Sequence, residues 1–577
     1  MRGIAESFLG IALAIAGTTI TSNTRAEAAG DASLFPPTTY LYAELSDPVE
    51  LISTILDHPL VDEVVAMEPY RLATQSPQYQ QFLAGREMVE DQIGMPWREG
   101  LETLFANGVT VGVDSASGNA FCVVVHGKDS DSMKMMFDKA MSFAKMNPKI
   151  EYGSYRDVGA FRIDGNRVAV IEDRMLFTNS SDLGKQVIDR ILDGGESLAD
   201  NERFQQALTE RDTRAAGWGF VDVEFIRGMG KADQVITEKI NNPVGELLVG
   251  GIQSTLQETP FATVELFADG KALGLKLAMP FQREWIPEER EYFFGPSGTG
   301  HGPAIPELDE TLFTLSTHRD FSEVWLRAGD LFNADINDGF AKADATLTTF
   351  FAGRDFGEDI LGAFESEAAF VATRQDFSTV SPTPTIKLPA FALMFELKQP
   401  DKMTRDLRRN FQNLIGFLNV VGAMNGQSQL EMDMEQIDDN VQLVTSEYVP
   451  EEDEVGSTDA RILYNFSPSI GFAGERFVVA STEDLARKLA MAPSPNPATI
   501  ADNTHAVLRA NTLRDVLADN QEQLIAQNML EDGNSREEAE AIIGLLLQVV
   551  GYFEDASLRL GSRNDQLEAE LQVRVKQ

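Results

Sequence analysis

The sequence predicts an α+β protein made of two tandem similar domains, each an antiparallel sheet of hairpins with helices packed on it. Three observations carry this expectation. A strand–helix unit that begins Ala120-Phe121-Cys122-Val123-Val124-Val125 recurs without a gap as Ala390-Phe391-Ala392-Leu393-Met394-Phe395, at an offset of 390 − 120 = 270. At that offset Lys128 falls on Lys398, Asp131 on Asp401 and Met133 on Met403, and such a period is a primary sign of repeated architecture. Many strands are joined by short hairpin turns, which argues against a mainly parallel sheet. The length agrees, since 577 residues exceed one ordinary core.

In chain order, residues 1–28 read as a signal peptide. Arg2 supplies a positive start, Phe8–Ala16 a short apolar run, and Ala26-Glu27-Ala28 a small-residue cleavage site. The run is short for a membrane span. The expectation is an exported mature chain starting near Ala29 with no transmembrane segment; an uncleaved anchor is the other reading of the same residues.

The first copy is expected over 29–280. Thr39–Leu45 alternates like a strand, and Asp47-Pro48 opens a helix, Asp as cap and Pro in the first turn. Helical patterns follow at Gln78–Asp91 and Trp97–Phe105, then strands at Val109–Val113 and Ala120–Val125. After the helix Met133–Phe143, Phe161–Ile163 meets Val168–Ile171 across Asp164-Gly165-Asn166, a hairpin signal. Arg174–Phe177 pairs next. Asn179, with Asp182 three residues on, is expected to cap a helix whose apolar face is Leu183, Val187, Ile188 and Ile191. Gly219–Phe225 reads as a strand, Pro243–Leu256 as an amphipathic helix, and Phe261–Phe267 with Ala272–Ala278 as a hairpin. The Gly- and Pro-rich stretch 281–306 reads as a linker, with Trp285, Tyr292, Phe293 and Phe294 suggesting that part of it docks.

The second copy, 307–577, repeats the order. Thr311–Leu315 answers Thr39–Ala43, and Glu367–Thr373 answers the strand at Val109. The helix Asp401–Val421 follows the repeated strand. Ser481 with Asp484 caps a helix as Asn179 does with Asp182. Val507-Leu508-Arg509-Ala510 answers Phe220–Val223, Ser535-x-x-Glu538 is a capping box, and Ala556–Leu560 with Leu567–Val573 closes the chain as a hairpin.

The exported leader, the Pro36-x-x-Thr39 strand start, Asp47-Pro48, the segment Phe161–Phe177 with Asn179-Ser180-Ser181, and Ser197-Leu198-Ala199-Asp200-Asn201-Glu202-Arg203-Phe204 together resemble an uncharacterised bacterial family of secreted or envelope proteins, a domain of unknown function. The resemblance lies mainly in the first half. It implies export and a repeated α+β fold, and it carries over no catalytic residue.

Charge narrows the partners. The formal net charge is −42, which repels nucleic acid and anionic membrane surfaces and mainly sets solubility. The single cysteine, Cys122, sits in an apolar strand and reads as a core residue, because a reactive thiolate needs an electropositive, partly exposed setting.

The chemistry-bearing patterns are weak. The five histidines, His58, His126, His301, His318 and His505, fall at no metal-ligand spacing. The acidic groups Asp433, Glu435, Asp438, Asp439 and Glu451–Glu454 lack the central glycine of a calcium loop and read as solvated loops. Gly295-Pro296-Ser297-Gly298-Thr299 is not a nucleophile elbow, and Ser181-Asp182-Leu183-Gly184-Lys185 lacks the glycine and hydroxyl of a phosphate loop. Gly228-Met229-Gly230 lacks its third glycine. No catalytic, cofactor-binding or metal-binding residue is nominated, and no cofactor is expected.

The Met- and Phe-bearing helices remain. Met135, Met136, Phe137, Met141 and Phe143, and Phe411, Leu414, Phe417 and Leu418, read first as core and second as an adaptable apolar groove. The expectation is a non-enzymatic exported envelope or periplasmic protein that binds an apolar ligand or another envelope component. A cavity supports this reading and tightly filled cores oppose it. A hydrolase using dispersed carboxylates and a self-associating surface protein are the alternatives.

Overall fold

The computed structural model describes residues 31–576, apart from 58–60, 62–64, 66–69, 71–73, 75–76, 116–119, 145–149, 164, 231–235, 237, 270, 352, 379, 453 and 494–501. The expected signal peptide, the expected mature start near Ala29, and His58 lie outside the described residues. The chain is α+β and divides into two compact units.

Among the described residues, unit 1 holds β1 (Thr39–Leu45), β2 (Val109–Asp114), β3 (Ala120–His126), β4 (Glu151–Tyr155), β5 (Val158–Ile163), β6 (Asn166–Ile171), β7 (Arg174–Thr178), β8 (Gly217–Asp222), β9 (Phe261–Asp269) and β10 (Ala272–Pro280). They pair antiparallel in the order β4-β5-β6-β7-β3-β2-β1-β8-β9-β10. β5 and β6 pair as the hairpin signal predicts, with Ile163 opposite Asn166, which is the first residue of β6 rather than part of the turn. Gly165 takes a positive φ of 86°, which a two-residue hairpin requires.

Unit 2 holds β11 (Thr311–His318), β12 (Phe364–Thr373), β13 (Ala390–Leu397), β14 (Leu430–Gln436), β15 (Val441–Tyr448), β16 (Ser469–Ala473), β17 (Arg476–Ala480), β18 (Thr504–Arg509), β19 (Phe553–Arg563) and the start of β20 (Gln566–Val575). Their order, β14-β15-β16-β17-β13-β12-β11-β18-β19-β20, is that of unit 1 strand for strand.

Local chemistry explains the helix starts. Asp47 accepts the N–H of Glu50 at 2.8 Å, and Asp320 accepts that of Glu323 at 3.0 Å. Ser535 and Glu538 form both bonds of a capping box. Two caps sit one residue later than the sequence pattern suggests: Ser180, not Asn179, accepts from Leu183, and Thr482, not Ser481, accepts from Leu485. The displaced residues hold strands instead. The strand expected at Gly219–Phe225 ends at Asp222, whose carboxylate accepts the Phe225 N–H and starts the helix Val223–Gly228.

Unit 1 packs an aromatic core of Phe35, Tyr42, Phe204, Trp218 and Phe220. Cys122 is fully buried there, and burial pushes its thiol up to about 12, so it is inert as a nucleophile at neutral pH.

The segment 281–306 has the composition of a linker but belongs to unit 2, where Tyr292, Phe293 and Phe294 are buried. So does the helix Pro243–Glu258, which the sequence order assigns to the first copy. The reason is a shared core. Gly251 lies under Phe293, which a Cβ would meet at 2.5 Å. Arg290 pairs with the fully buried Glu246 through bonds of 2.6 and 3.0 Å and also reaches Gln253 and Ser254. Tyr292 donates to Glu246. Every polar group of this buried cluster therefore has a partner, the condition under which a buried ion pair is tolerated. Arg319 lies 3.5 Å from the Phe293 ring centroid and donates to Asn503 at 2.7 Å.

Candidate functional site

The candidate site is a cavity of about 240 Å³ in unit 1, between the meander β4–β7 and the helix Ser181–Asp193. Its floor is apolar and buried: Ala169, Leu176 and Ile188 are at most 7% exposed. Tyr152, Val158 and Phe161 add aromatic and branched wall. Hydroxyls come from Ser154, Thr178, Ser180 and Ser181. The charged lining is three cations, Arg162, Arg167 and Lys185, against one carboxylate, Glu151.

Each charged group has a definite environment. Arg162 pairs with Glu151 at 3.1 Å. Arg167 donates to the carbonyls of Gly165 and Asn179, each at 2.9 Å. The Lys185 ammonium lies 5.6 Å from the Tyr155 ring centroid. Beside the cavity, Asp189 is occupied by the Tyr155 hydroxyl and by Arg156. The Arg156 hydrogen bonds hold the Asp193 carboxyl below its usual value, and the hydrogen bond to Asp189 raises that of the Tyr155 phenol.

The same place in unit 2 is filled. The matched caps give an offset of 482 − 180 = 302, and the registers Val168–Phe177 and Ile470–Val479 agree with it. Ala169, opposite Ala160, becomes Gly471, opposite Leu443. A Cβ on Gly471 would meet Leu443 and Ala490 at 3.1 Å, so the helix Glu483–Met491 sits directly on the sheet. Leu443, Ala486, Leu489 and Ala490 are at most 2% exposed. Leu443 stands where unit 1 has Ala160, and its buried side chain occupies the volume that is open there.

The sequence-level candidates are placed as follows. Met136 and Phe137 are core, whereas Met135 is 38% exposed. On the helix Pro400–Met424, Phe411 is core, whereas Leu414, Phe417 and Leu418 are 39%, 59% and 37% exposed. Asp433 and Glu435, expected in a solvated loop, lie instead on strand β14, where they pair with β15; Glu435 is bridged to Arg487, and Glu454 to Arg461, each at 2.6 Å. Hydrogen bonds from Arg461 pull the Glu454 carboxyl down to about 2. Among the described residues no cluster of three or more His, Cys, Asp or Glu is arranged to hold a metal ion, and no helix is long and apolar enough to cross a membrane. The cavity itself escaped sequence reasoning, because its lining comes from five consecutive elements and its charges from four of them. The available signal was Phe161–Phe177 followed by Asn179-Ser180-Ser181.

No protein-family model matches this chain, and no curated protein matches it. Among solved structures, TP0453 in crystal form IV is 9% identical with a TM-score of 0.24, covering 44% of this chain and 84% of that chain. TP0453 in crystal form I is 9% identical with a TM-score of 0.23, covering 46% and 80%. Likeness at these scores carries no argument about fold or function.

Proposed function

We propose that the chain is an exported, non-enzymatic binding protein of the cell envelope whose ligand site is the unit 1 cavity. The observation that carries this is the open cavity itself, with an apolar floor and a polar rim, the usual make-up of a small-ligand site. The unit with the same strand order fills that volume with side chains, so the fold does not require the opening. Native mass spectrometry of the full chain, purified gently from its own envelope fraction, tests the reading. Extra mass that organic extraction removes, and that Ala160→Leu abolishes, supports it. A clean apo mass that also stays unchanged with apolar ligands in excess overturns it.

A hydrolase is the second reading, and one observation favours it. Glu44 and Glu265 stand opposite Trp218 from its two neighbouring strands, and burial raises both carboxyl pKa values. Neither lines the cavity, and Glu44 is held by Tyr42 and Arg211. Hydrolysis of an envelope polymer that Glu44→Gln or Glu265→Gln abolishes would establish this reading in place of the first.

A further inference from the structure

We infer that the cavity selects an anionic ligand, whose negative group is met by Arg167 and Lys185 and whose apolar body lies against Phe161 and Ile188; this rests on reading the cavity as the binding site. In a chain of net charge −42, a cavity wall with three cations and one carboxylate reverses the sign of the surroundings. Only Arg162 is neutralised by the lining carboxylate. Among the described residues neither Arg167 nor Lys185 has a carboxylate within ion-pair distance: Arg167 spends one nitrogen on two carbonyls, and Lys185 lies near a tyrosine ring.

The filled counterpart shows that this is particular to the open cavity. At the offset of 302, Arg167 becomes Ser469, Lys185 becomes Arg487 and Ser181 becomes Glu483. Arg487 is neutralised twice, by Glu483 at 2.8 Å and Glu435 at 2.6 Å. Where the volume is closed, the cation has carboxylate partners. Where it is open, a serine replaces the carboxylate and two cations keep donors to spare. A phosphate, sulfate or carboxylate supplies the missing acceptors, and bonds between ionised partners are the stronger kind. Free anions and amphiphiles share this chemistry; the apolar floor assigns the amphiphile.

The test is calorimetric titration of the full chain with octyl phosphate, octanol and inorganic phosphate. Octyl phosphate is expected to bind at least about tenfold more tightly than octanol, from charge-assisted bonds. Lys185→Gln and Arg167→Gln are each expected to remove most of that difference, weakening octyl phosphate far more than octanol. Lys185 is exposed, so its variant reads binding rather than folding. Equal affinity for octyl phosphate and octanol overturns the anion assignment and leaves the cavity as an apolar site. Inorganic phosphate binding as tightly as octyl phosphate overturns the apolar body. Binding of none of the three overturns this inference together with the reading beneath it.

Discussion

Asn179 Oδ1 accepts the backbone N–H of Phe121 at 2.9 Å, tying the second residue of β3 to the entry of the helix that roofs the cavity. Ser481 Oγ does the same for Phe391 at 2.8 Å in the other unit. These are the residues one might assign as helix caps from sequence, and each instead anchors a strand while its neighbour caps. Asn179→Ala is expected to cost about 1 kcal/mol, the net worth of an exposed hydrogen bond. Ser481→Ala should cost more, about 1–3 kcal/mol, because Ser481 is buried and its loss strands a donor. Denaturant unfolding, with amide exchange at Phe121 and Phe391, measures both; equal costs would contradict the burial argument.

Gly184 faces Thr178, whose methyl a Cβ would meet at 3.0 Å. At the matching place in unit 2 the pair is Ala486 and Ala480, both buried. The volume has moved from one side of the contact to the other. Gly184→Ala alone therefore sets a helix-propensity gain of about 1 kcal/mol against a clash. In a Thr178→Ser background, which keeps the hydroxyl bond to Phe121 O and deletes the methyl, the same change should be better tolerated by about 1 kcal/mol. A double-mutant cycle that is additive would refute this contact as the reason for glycine.

Glu246 and Arg290 form a buried pair whose members satisfy each other. Glu246→Ala should cost about 3–5 kcal/mol, since it leaves a buried guanidinium without its counter-charge. Glu246→Leu with Arg290→Met should cost less than that single change. Thermal unfolding compares them; a double variant as unstable as Glu246→Ala would mean that the polar network, rather than the uncompensated charge, sets the cost.

Glu454 gives a pH dependence. Its carboxyl is lowered from 4.5 to about 2 by hydrogen bonds from Arg461 and Tyr464. A lowered folded pKa contributes stability that is full above the unfolded value and lost as pH falls through the folded one. The loop at 451–461 should therefore stay closed down to about pH 4.5 and open progressively toward pH 2. Limited proteolysis reads this, with an acid protease for the wild type below pH 4.5 and a neutral protease for Glu454→Gln, which should open the loop at neutral pH; protection that survives in that variant would contradict the role.

The fold was legible where local chemistry decides it. The turn signal between Ile163 and Val168 marked the β5–β6 hairpin, Asp47-Pro48 and Ser535-x-x-Glu538 set helix starts, and the alignment of Ala120 with Ala390 marked β3 and β13 as equivalent strands. What escaped depends on distant partners. Helix Pro243–Glu258 looks like part of the first copy until Tyr292–Phe294 and Arg290 are seen packed on it. The exposed face of Leu414 and Phe417 differs from the buried face of Phe411 only through the sheet beneath. The cavity depends on Ala160 rather than leucine and on Ser181 rather than glutamate. These differences gain meaning only once the strand registers align the two units.

The most direct measurement is a crystal structure of the full chain soaked with octyl phosphate. The account predicts ligand density in the unit 1 cavity, with the phosphate on Arg167 and Lys185, and none at Leu443 and Arg487 in unit 2. An empty unit 1 cavity, or equal occupancy at both places, would contradict it.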